Sequence, residues 1–335
     1  MSRVTMRDVA RAAGVSVNTV SRALAGKPDV SPSTRAKVLA VAKQLGYRPN
    51  KLARGLRSNR TATIGVIVTD IANPYFGALV KGVKEAAHRH GYSIVLQDTD
   101  EDYAKEEEAI QVILAEQVDG LLITPVQTGI DTILSLKEAE VPFVLLGRRF
   151  EDLETNYVVT DDERGGYLAT EHLIELGHTA IALINGPPHI SSAKERRRGY
   201  QGALLKRGIE PDDRLIRSGA ITAADGYREA TALLRSTRRF TALFCYSDLV
   251  AFGAMAAIRE AGLHIPKDVA VVGYDDVELA SYLDVPLTSV RIPKKELGAT
   301  AVEMLLGLLA GGHQQAGPQG IELPVQLFVR ESTQG

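Results

Sequence analysis

Two rhythms of apolar positions divide the 335-residue chain. Over the first 47 residues apolar side chains return at steps of three and four, the spacing of amphipathic helices. A first helix carries Val9, Ala12 and Ala13 as its apolar stripe, and Thr5 can cap it with Asp8 three residues on, a capping-box spacing. Gly14 breaks the chain, Ser16 can cap a second helix, and Val17, Val20 and Leu24 recur along it. Ser31 followed by Pro32 is the start signal of a third helix. Its apolar face is read as Ala36, Leu39, Ala42 and Leu45, and Gly46 ends it. Residues 48–63, "RPNKLARGLRSNRTAT", are basic and poor in large apolar residues. They read as a linker with a short marginal helix over 50–58, which Gly55 weakens by about 1 kcal/mol relative to Ala.

From residue 64 short β-branched runs alternate with helical stretches: "IGVIVTD", "YSIVLQD", "GLLITP", "PFVLLG" and "NYVVTDD", then "AIALING", "LIRSGA", "ALFCYS" and "VAVVGYDD". Near-continuous apolar strands separated by helices predict parallel sheets covered on both faces. The expected fold is therefore an all-α helix-turn-helix head joined to an α/β body of two doubly wound parallel-sheet subdomains. Ligands of such sheets bind beyond the carboxyl ends of the strands, so the residues just after each strand are the ones to inspect. The stretch "GGHQQAGPQG" before the last strand reads as a surface loop.

Charge changes the picture of the head. Residues 1–60 hold thirteen Lys and Arg against Asp8 and Asp29 alone, whereas the rest of the chain holds 26 basic and 39 acidic residues. A basic head on an acidic body suits a polyanionic partner. The single cysteine, Cys245, lies in an apolar run and reads as a buried structural thiol. No secretory signal is evident at the start and no apolar run of about 18 residues occurs, so a cytoplasmic protein without a membrane partner is expected. The seven histidines show no metal-ligand spacing, with His88 and His90 two apart at a helix end. No metal and no cofactor are expected.

Helix, tight turn at Gly14 and second helix give the layout whose second helix enters the DNA major groove. Val20 and Leu24 would face the core of the head, leaving Val17, Asn18 and Arg22 to the base edges. Asn pairs with adenine, Arg with guanine, and Val touches a thymine methyl. Ser16, Thr19 and Ser21 suit the phosphates, and Thr5 joins them as an expected DNA contact.

The stretch from Val4 to Ser58 resembles the head of the lactose/galactose repressor (LacI/GalR) family through "T-x-x-D-V-A", "A-G-V-S", "T-V-S-R", "L-G-Y-x-P-N" and "A-x-x-L". The body resembles the same family, and through it the periplasmic sugar-binding fold. The matching stretches are "N-P-Y-F" at 73–76, "V-D-G-L-L" at 118–122, "R-x-x-G-Y" at 196–200, "S-D-x-x-A-x-G" at 247–253, "V-V-G-Y-D-D" at 271–276 and "R-E-S-T" at 330–333. The resemblance implies a DNA-binding domain over 1–47, a hinge over 48–62 and an effector-binding and dimerisation domain over 63–335. It divides the last into subdomains 63–161 plus 293–325 and 162–292 plus 326–335, joined by three crossovers. It also implies that two linker helices fold in the minor groove of a double-stranded operator. Leu56 would wedge into the central base step, with Asn50, Ala53, Arg54 and Arg57 beside it; a basic segment with one exposed large apolar residue is what such a wedge requires.

Strand ends supply the ligand candidates. Asn73, Tyr75 and Phe76 follow the first strand, Arg148 follows "FVLLG", Asp161 follows "NYVVT", Ser247 follows "ALFCY" and Asp275 follows "VVGY". Arg196 and Asp275 match the family positions that grip the ligand. Tyr75 and Phe76 suit stacking on a ring or packing of a helix start, and Asp248 reads equally as a helix N-cap. The chain departs from some family members in carrying Ile221, Gly147 and Ile292 where those place an aromatic, an acid and a polar contact. These departures leave the effector's identity open; the family's frequencies imply a sugar or sugar derivative, with a purine-type corepressor as the alternative. No G-x-G-x-x-G after a strand, no Walker pattern and no G-x-S-x-G occurs, which argues against an enzyme. No heptad tail follows the last strand, so a homodimer is expected rather than a tail-made tetramer.

Overall fold

The computed structural model describes residues 4–24, 26–47, 60–236, 239–311 and 317–334. The chain divides into two compact units, Met1–Thr61 and Ala62–Gly335. The expected linker helix over 50–58, with Asn50, Ala53, Arg54, Leu56 and Arg57, lies outside the described residues, as do residues 312–316 of the 311–320 stretch.

The first unit holds three helices among its described residues: α1 (Met6–Ala13), α2 (Val17–Leu24) and α3 (Pro32–Gln44). The Asp8 carboxylate accepts from the Thr5 amide at 2.9 Å and from its hydroxyl at 2.7 Å, tying down the first turn of α1. Gly14 closes α1 at φ 65°, a left-handed conformation that favours glycine and turns the chain into α2. The Ser16 hydroxyl accepts from the Thr19 amide at 3.0 Å, and the Ser31 hydroxyl from the Thr34 amide at 3.2 Å, so both serines cap as their positions suggest.

A small core of Val9, Ala10, Ala13, Val20, Ala23, Val30, Val38 and Ala42 joins the three helices. Two expected faces are corrected here. In α1 the buried alanines are Ala10 and Ala13, and Ala12 is exposed. In α3 the buried pair is Val38 and Ala42, while Ala36, Leu39 and Leu45 face solvent. Apolar residues surround α3, so its own pattern marks no single face, and the shallow core left by α1 and α2 selects the smaller side chains.

The second unit contains two six-stranded sheets. The first is built from β1 (Thr63–Val68), β2 (Ser93–Asp98), β3 (Gly120–Ile123), β4 (Phe143–Leu146), β5 (Tyr157–Thr160) and β11 (Gly320–Leu323), in the order β2-β1-β3-β4-β5-β11. All of its pairings are parallel. The second takes β6 (Ile181–Ile184), β7 (Ile216–Arg217), β8 (Ala242–Cys245), β9 (Ala270–Asp275), β10 (Thr288–Arg291) and β12 (Gln326–Phe328), in the order β7-β6-β8-β9-β10-β12. Here only β12 runs antiparallel, along β10. The stretch "LIRSGA" contributes only two residues of strand, at the sheet edge. The glycine-rich stretch precedes β11, and a further short strand, β12, follows it.

The helices of this unit are α4 (Pro74–Arg89), α5 (Tyr103–Ala115), α6 (Asp131–Glu138), α7 (Asp162–Glu175), α8 (Ser191–Lys206), α9 (Ala223–Arg235), α10 (Asp248–Glu260) and α11 (Lys294–Leu309). The chain passes between the sheets three times: from β5 into α7, from β10 into α11, and from β11 to β12. Strands β1, β3, β4, β6, β8 and β9 are almost wholly buried, as parallel strands covered on both faces must be. Cys245 is buried in β8, where burial pushes its thiol well above the usual range.

Candidate functional site

In the head, the exposed side of α2 carries the groove candidates. Val17 and Asn18 face solvent, unusual for a valine with a core available beneath it. Val20 is fully buried, and Leu24 is half-buried against the same core. Thr5 and Ser16 are exposed, and the Ser16 and Thr19 hydroxyls lie 2.8 Å apart. Thr19 and Ser21 are half-buried. Arg22 forms an ion pair with Asp29 in the loop before α3, with both side chains nearly half exposed. That partner went unnoticed in the sequence, although Asp29 is one of only two acids in residues 1–60.

In the body, a cleft between the carboxyl ends of the two sheets gathers Asn73, Tyr75, Phe76 and Arg148 from the first and Arg196, Ser247 and Asp275 from the second. Glu101, Thr124, Gly147, Ser192, Ile221 and Tyr246 complete its lining. Asn73 caps α4 by accepting from the Tyr75 amide at 3.0 Å. Tyr75 and Phe76 meet edge to face with centroids 4.8 Å apart, and Phe76 belongs to the main core as well as to the cleft wall. Gly147 sits at φ 73°, and a Cβ there would come within 3.1 Å of the Tyr75 hydroxyl.

Both cleft arginines are buried and carry carboxylate partners. Arg148 forks onto Glu101 at 2.5 and 2.8 Å and donates to the Pro125 carbonyl at 3.0 Å. Arg196 donates from Nε to Asp162 at 2.7 Å and from a terminal nitrogen to the Tyr246 carbonyl at 2.5 Å. Its guanidinium lies 3.6 Å from the Tyr274 ring centroid and 4.6 Å from that of Tyr246. Burial works against the charge on each arginine, but Glu101 and Asp162 respectively outweigh it, and both guanidiniums are held charged.

Asp275 ends β9 at φ 103°, a strained conformation for a residue with a side chain. Lys294 holds the turn by donating to the carbonyls of Asp275 and Asp276. Burial pushes the Asp275 carboxyl up to about 7; Arg196 and Lys294 pull it down, and Asp162 pushes it further up.

Asp161 is not among the cleft residues. It caps α7, accepting from the Arg164 amide at 2.8 Å, and lines a separate open cavity of about 390 Å³ with Arg149, Arg164 and Glu322. The next residue, Asp162, points inward to Arg196. Asp248 also lies outside the cleft lining: Ser247 is the N-cap of α10, and the fully buried Asp248 accepts from the Val277 amide at 2.7 Å and the Ser289 hydroxyl at 2.6 Å. Glu101 and Tyr246 were within reach of the strand-end rule, since they follow β2 and β8, but their roles depend on partners distant in the chain.

The cleft encloses only about 50 Å³, and polar contacts join the two subdomains beside Arg148 and Ser192 of its lining. Arg149 donates to Glu195 at 2.8 Å and Arg198 to Glu151 at 3.0 Å. The Ser191 amide donates to Gln127 at 2.9 Å, and the Arg149 amide to the Ser191 hydroxyl at 3.2 Å. These contacts bind the two subdomains at the mouth. Larger cavities of about 230 and 720 Å³ lie elsewhere on the body, but the cleft brings the buried Arg148, Arg196 and Asp275 together from both sheets. Among the described residues no cluster of His, Cys, Asp and Glu could hold a metal, and no helix is long and apolar enough to cross a membrane.

Comparison with known proteins agrees with this geometry. Residues 5–50 match the family described as bacterial regulatory proteins, lacI family. Residues 61–331 match periplasmic binding proteins and sugar binding domain of LacI family. The HTH-type transcriptional repressor PurR of Aliivibrio fischeri is 36% identical over 306 residues, 90% of each chain. The ribose operon repressor of Escherichia coli K12 is 37% identical over 303 residues, covering 90% of this chain and 92% of that one. A lac repressor dimer bound to operator and the anti-inducer ONPF superposes with a TM-score of 0.88 at 34% identity over the whole of both chains. The chain belongs to the LacI family of bacterial regulatory proteins, with a helix-turn-helix DNA-binding head and a periplasmic-binding-protein-like body.

Proposed function

We propose that the protein is a homodimeric transcriptional repressor whose affinity for a palindromic double-stranded operator is set by a small molecule held in the body cleft. The observation that carries this reading is the cleft itself: buried arginines and acids from two sheets converge where three chain crossings join the sheets. Val17, Asn18 and Arg22 read base edges, while Thr5, Ser16, Thr19 and Ser21 position phosphates. Residues 48–62 act as the hinge, with Leu56 wedged in the minor groove and Asn50, Ala53, Arg54 and Arg57 against the duplex. Asn73, Tyr75, Phe76, Arg148, Arg196, Ser247 and Asp275 face the effector, and Asp161 acts from outside the cleft as a helix cap. The reading contains no catalytic step and places the protein in the cytoplasm, where its DNA is.

The effector is a sugar or sugar derivative, and by linkage it shifts operator affinity by the factor by which the operator shifts its own. The test is titration of a palindromic duplex with a central CG step at several salt concentrations, with and without added sugars. Tight, salt-dependent binding that a sugar shifts and that Arg22→Ala weakens is expected. Binding that ignores both sequence and Arg22 overturns the reading.

A further inference from the structure

We infer that the cleft is charge-matched to select an uncharged, hydroxyl-rich ring against its phosphorylated form, with the Arg148–Glu101 couple as selector. The inference rests on the effector-binding reading above and narrows it to a ligand class.

The charged lining consists of two guanidiniums, Arg148 and Arg196, and two carboxylates, Glu101 and Asp275. Each arginine charge is already matched by a buried carboxylate. Arg148 spends both terminal nitrogens on Glu101, and Arg196 is committed to Asp162 and the Tyr246 carbonyl. A phosphate dianion would have to share a guanidinium with its buried carboxylate or displace it, and in either case sit close to that carboxylate, an arrangement that a low-dielectric site penalises heavily. The amino ends of α4, α8 and α10 reach the cleft wall through Asn73, Ser192 and Ser247, and helix N-termini by themselves favour an anion. Glu101 already supplies that negative charge from within the protein, and Asp275 adds to it when it ionises.

Hydroxyls fit what remains. A hydroxyl both donates and accepts, so one ring can give its protons to Glu101 and Asp275 and its lone pairs to Arg148 and Arg196 without leaving a charge bare. The Thr124 hydroxyl, 2% exposed, lies in the cleft wall with no protein hydrogen-bond partner, a buried polar group awaiting one. Aromatic surface is limited. Tyr75 and Phe76 are turned edge to face, and the Tyr246 ring is engaged by Arg196, an arrangement that suits a hydroxyl-bearing ring better than a stacked flat base.

The experiment uses the full chain in thermal-shift and calorimetric titrations with three probe sets: neutral monosaccharides (D-ribose, D-galactose, D-glucose), their phosphate esters, and the purine bases hypoxanthine and guanine. At least one neutral sugar is expected to bind tenfold or more tightly than its ester, with both purines inert. Glu101→Gln removes one negative charge without changing shape. It is expected to narrow the sugar-to-ester ratio about tenfold, the ester gaining and the parent sugar losing. Asp275→Asn is the second variant and should narrow the ratio in the same direction. A phosphate ester or purine that binds the unmodified protein more tightly than any neutral sugar overturns the charge-matching while leaving the effector reading standing. An unchanged ratio in both variants overturns the selector role. Silence of all three probe sets overturns the effector reading and this inference together.

Discussion

Arg22 in the head and Arg196 in the body each hold a carboxylate, yet the two ion pairs do opposite work. The Arg22–Asp29 side chains are 47% and 46% exposed; those of Arg196 and Asp162 are 6% and 2% exposed. An exposed pair is worth at most about 1 kcal/mol and is screened by salt, so Arg22 can be handed to a phosphate or a base edge at small cost. A buried pair cannot be opened without stranding a charge in low dielectric, so Arg196 fixes the shape of the cleft. Exposure, more than the identity of the partners, separates a contact built to be exchanged from one built to be kept.

The largest effect that tests this contrast is expected from Arg196→Ala. Removing one member of a buried pair leaves Asp162 uncompensated, a loss of about 3–5 kcal/mol. Thermal denaturation should show the body melting well below the unmodified protein, with sugar binding lost. Asp162→Asn, which removes the stranded charge, should recover part of the stability. A normal melting temperature in Arg196→Ala would place this pair in the exchangeable class.

Arg22→Ala comes next. Loss of the bidentate base contact proposed for Arg22 would cost about 1–3 kcal/mol of discrimination. Operator affinity measured by fluorescence anisotropy should fall roughly tenfold or more, with the melting temperature unchanged. Equal losses on operator and unrelated DNA would make Arg22 a phosphate contact and blunt the comparison.

A pH effect of intermediate size should come from the rim of the cleft. Glu195 is buried there against Arg149, and burial, with Asp162 adding to it, pushes its carboxyl from the ordinary 4.5 to about 7 against the pull of Arg149 and Arg198. The closed, folded body thus holds this proton more tightly than the unfolded chain, and between those two values it binds more protons. Its stabilising contribution is complete below pH 4.5 and is lost as pH rises through about 7. Asp275, raised from 3.8 to about 7, adds a contribution of the same sign. The melting temperature of the body should therefore decline between pH 5.5 and pH 7.5, and Glu195→Gln should flatten that decline. A stability that rises across this interval would show the rim pair to be stabilised by ionisation instead.

How much of this was readable beforehand follows the range of the interactions. The caps at Ser16 and Ser31 and the alternation of strands and helices are local, and local rules found them. The strand-end rule located Arg148 and Asp275 because parallel strands deliver their next residues to one edge of the sheet. It failed at "VVTDD", where both acids follow β5 and only the helix phase decides that Asp161 caps α7 while Asp162 turns inward. The Glu101–Arg148 couple joins residues 47 apart, and the rim contacts of Ser191 and Glu195 join two subdomains, so no local pattern encodes either. The buried face of α3 was obscured because a helix with apolar residues on every side takes its orientation from its neighbours.

The smallest effect is expected from Asp29→Asn, and it bears most directly on the exchange of the Arg22 contact. With Asp29 present, the arginine is held in one place and a negative charge stands beside the DNA-facing surface. Removing that charge should strengthen binding to unrelated DNA by a few-fold at low salt, because one more cation becomes available to phosphates. The gain should fade as salt rises, since at 0.1 M the Debye length is already about 10 Å. Operator binding should gain less than binding to unrelated DNA, because an unrestrained guanidinium must be ordered before it can meet a base edge. The ratio of operator to unrelated affinity therefore falls in the variant, while the melting temperature stays within about 1 kcal/mol of stability of the unmodified head, as befits an exposed pair. If the ratio instead rises, Asp29 hinders Arg22 rather than positioning it, and the exposed pair is an obstacle that DNA must remove before the base can be read.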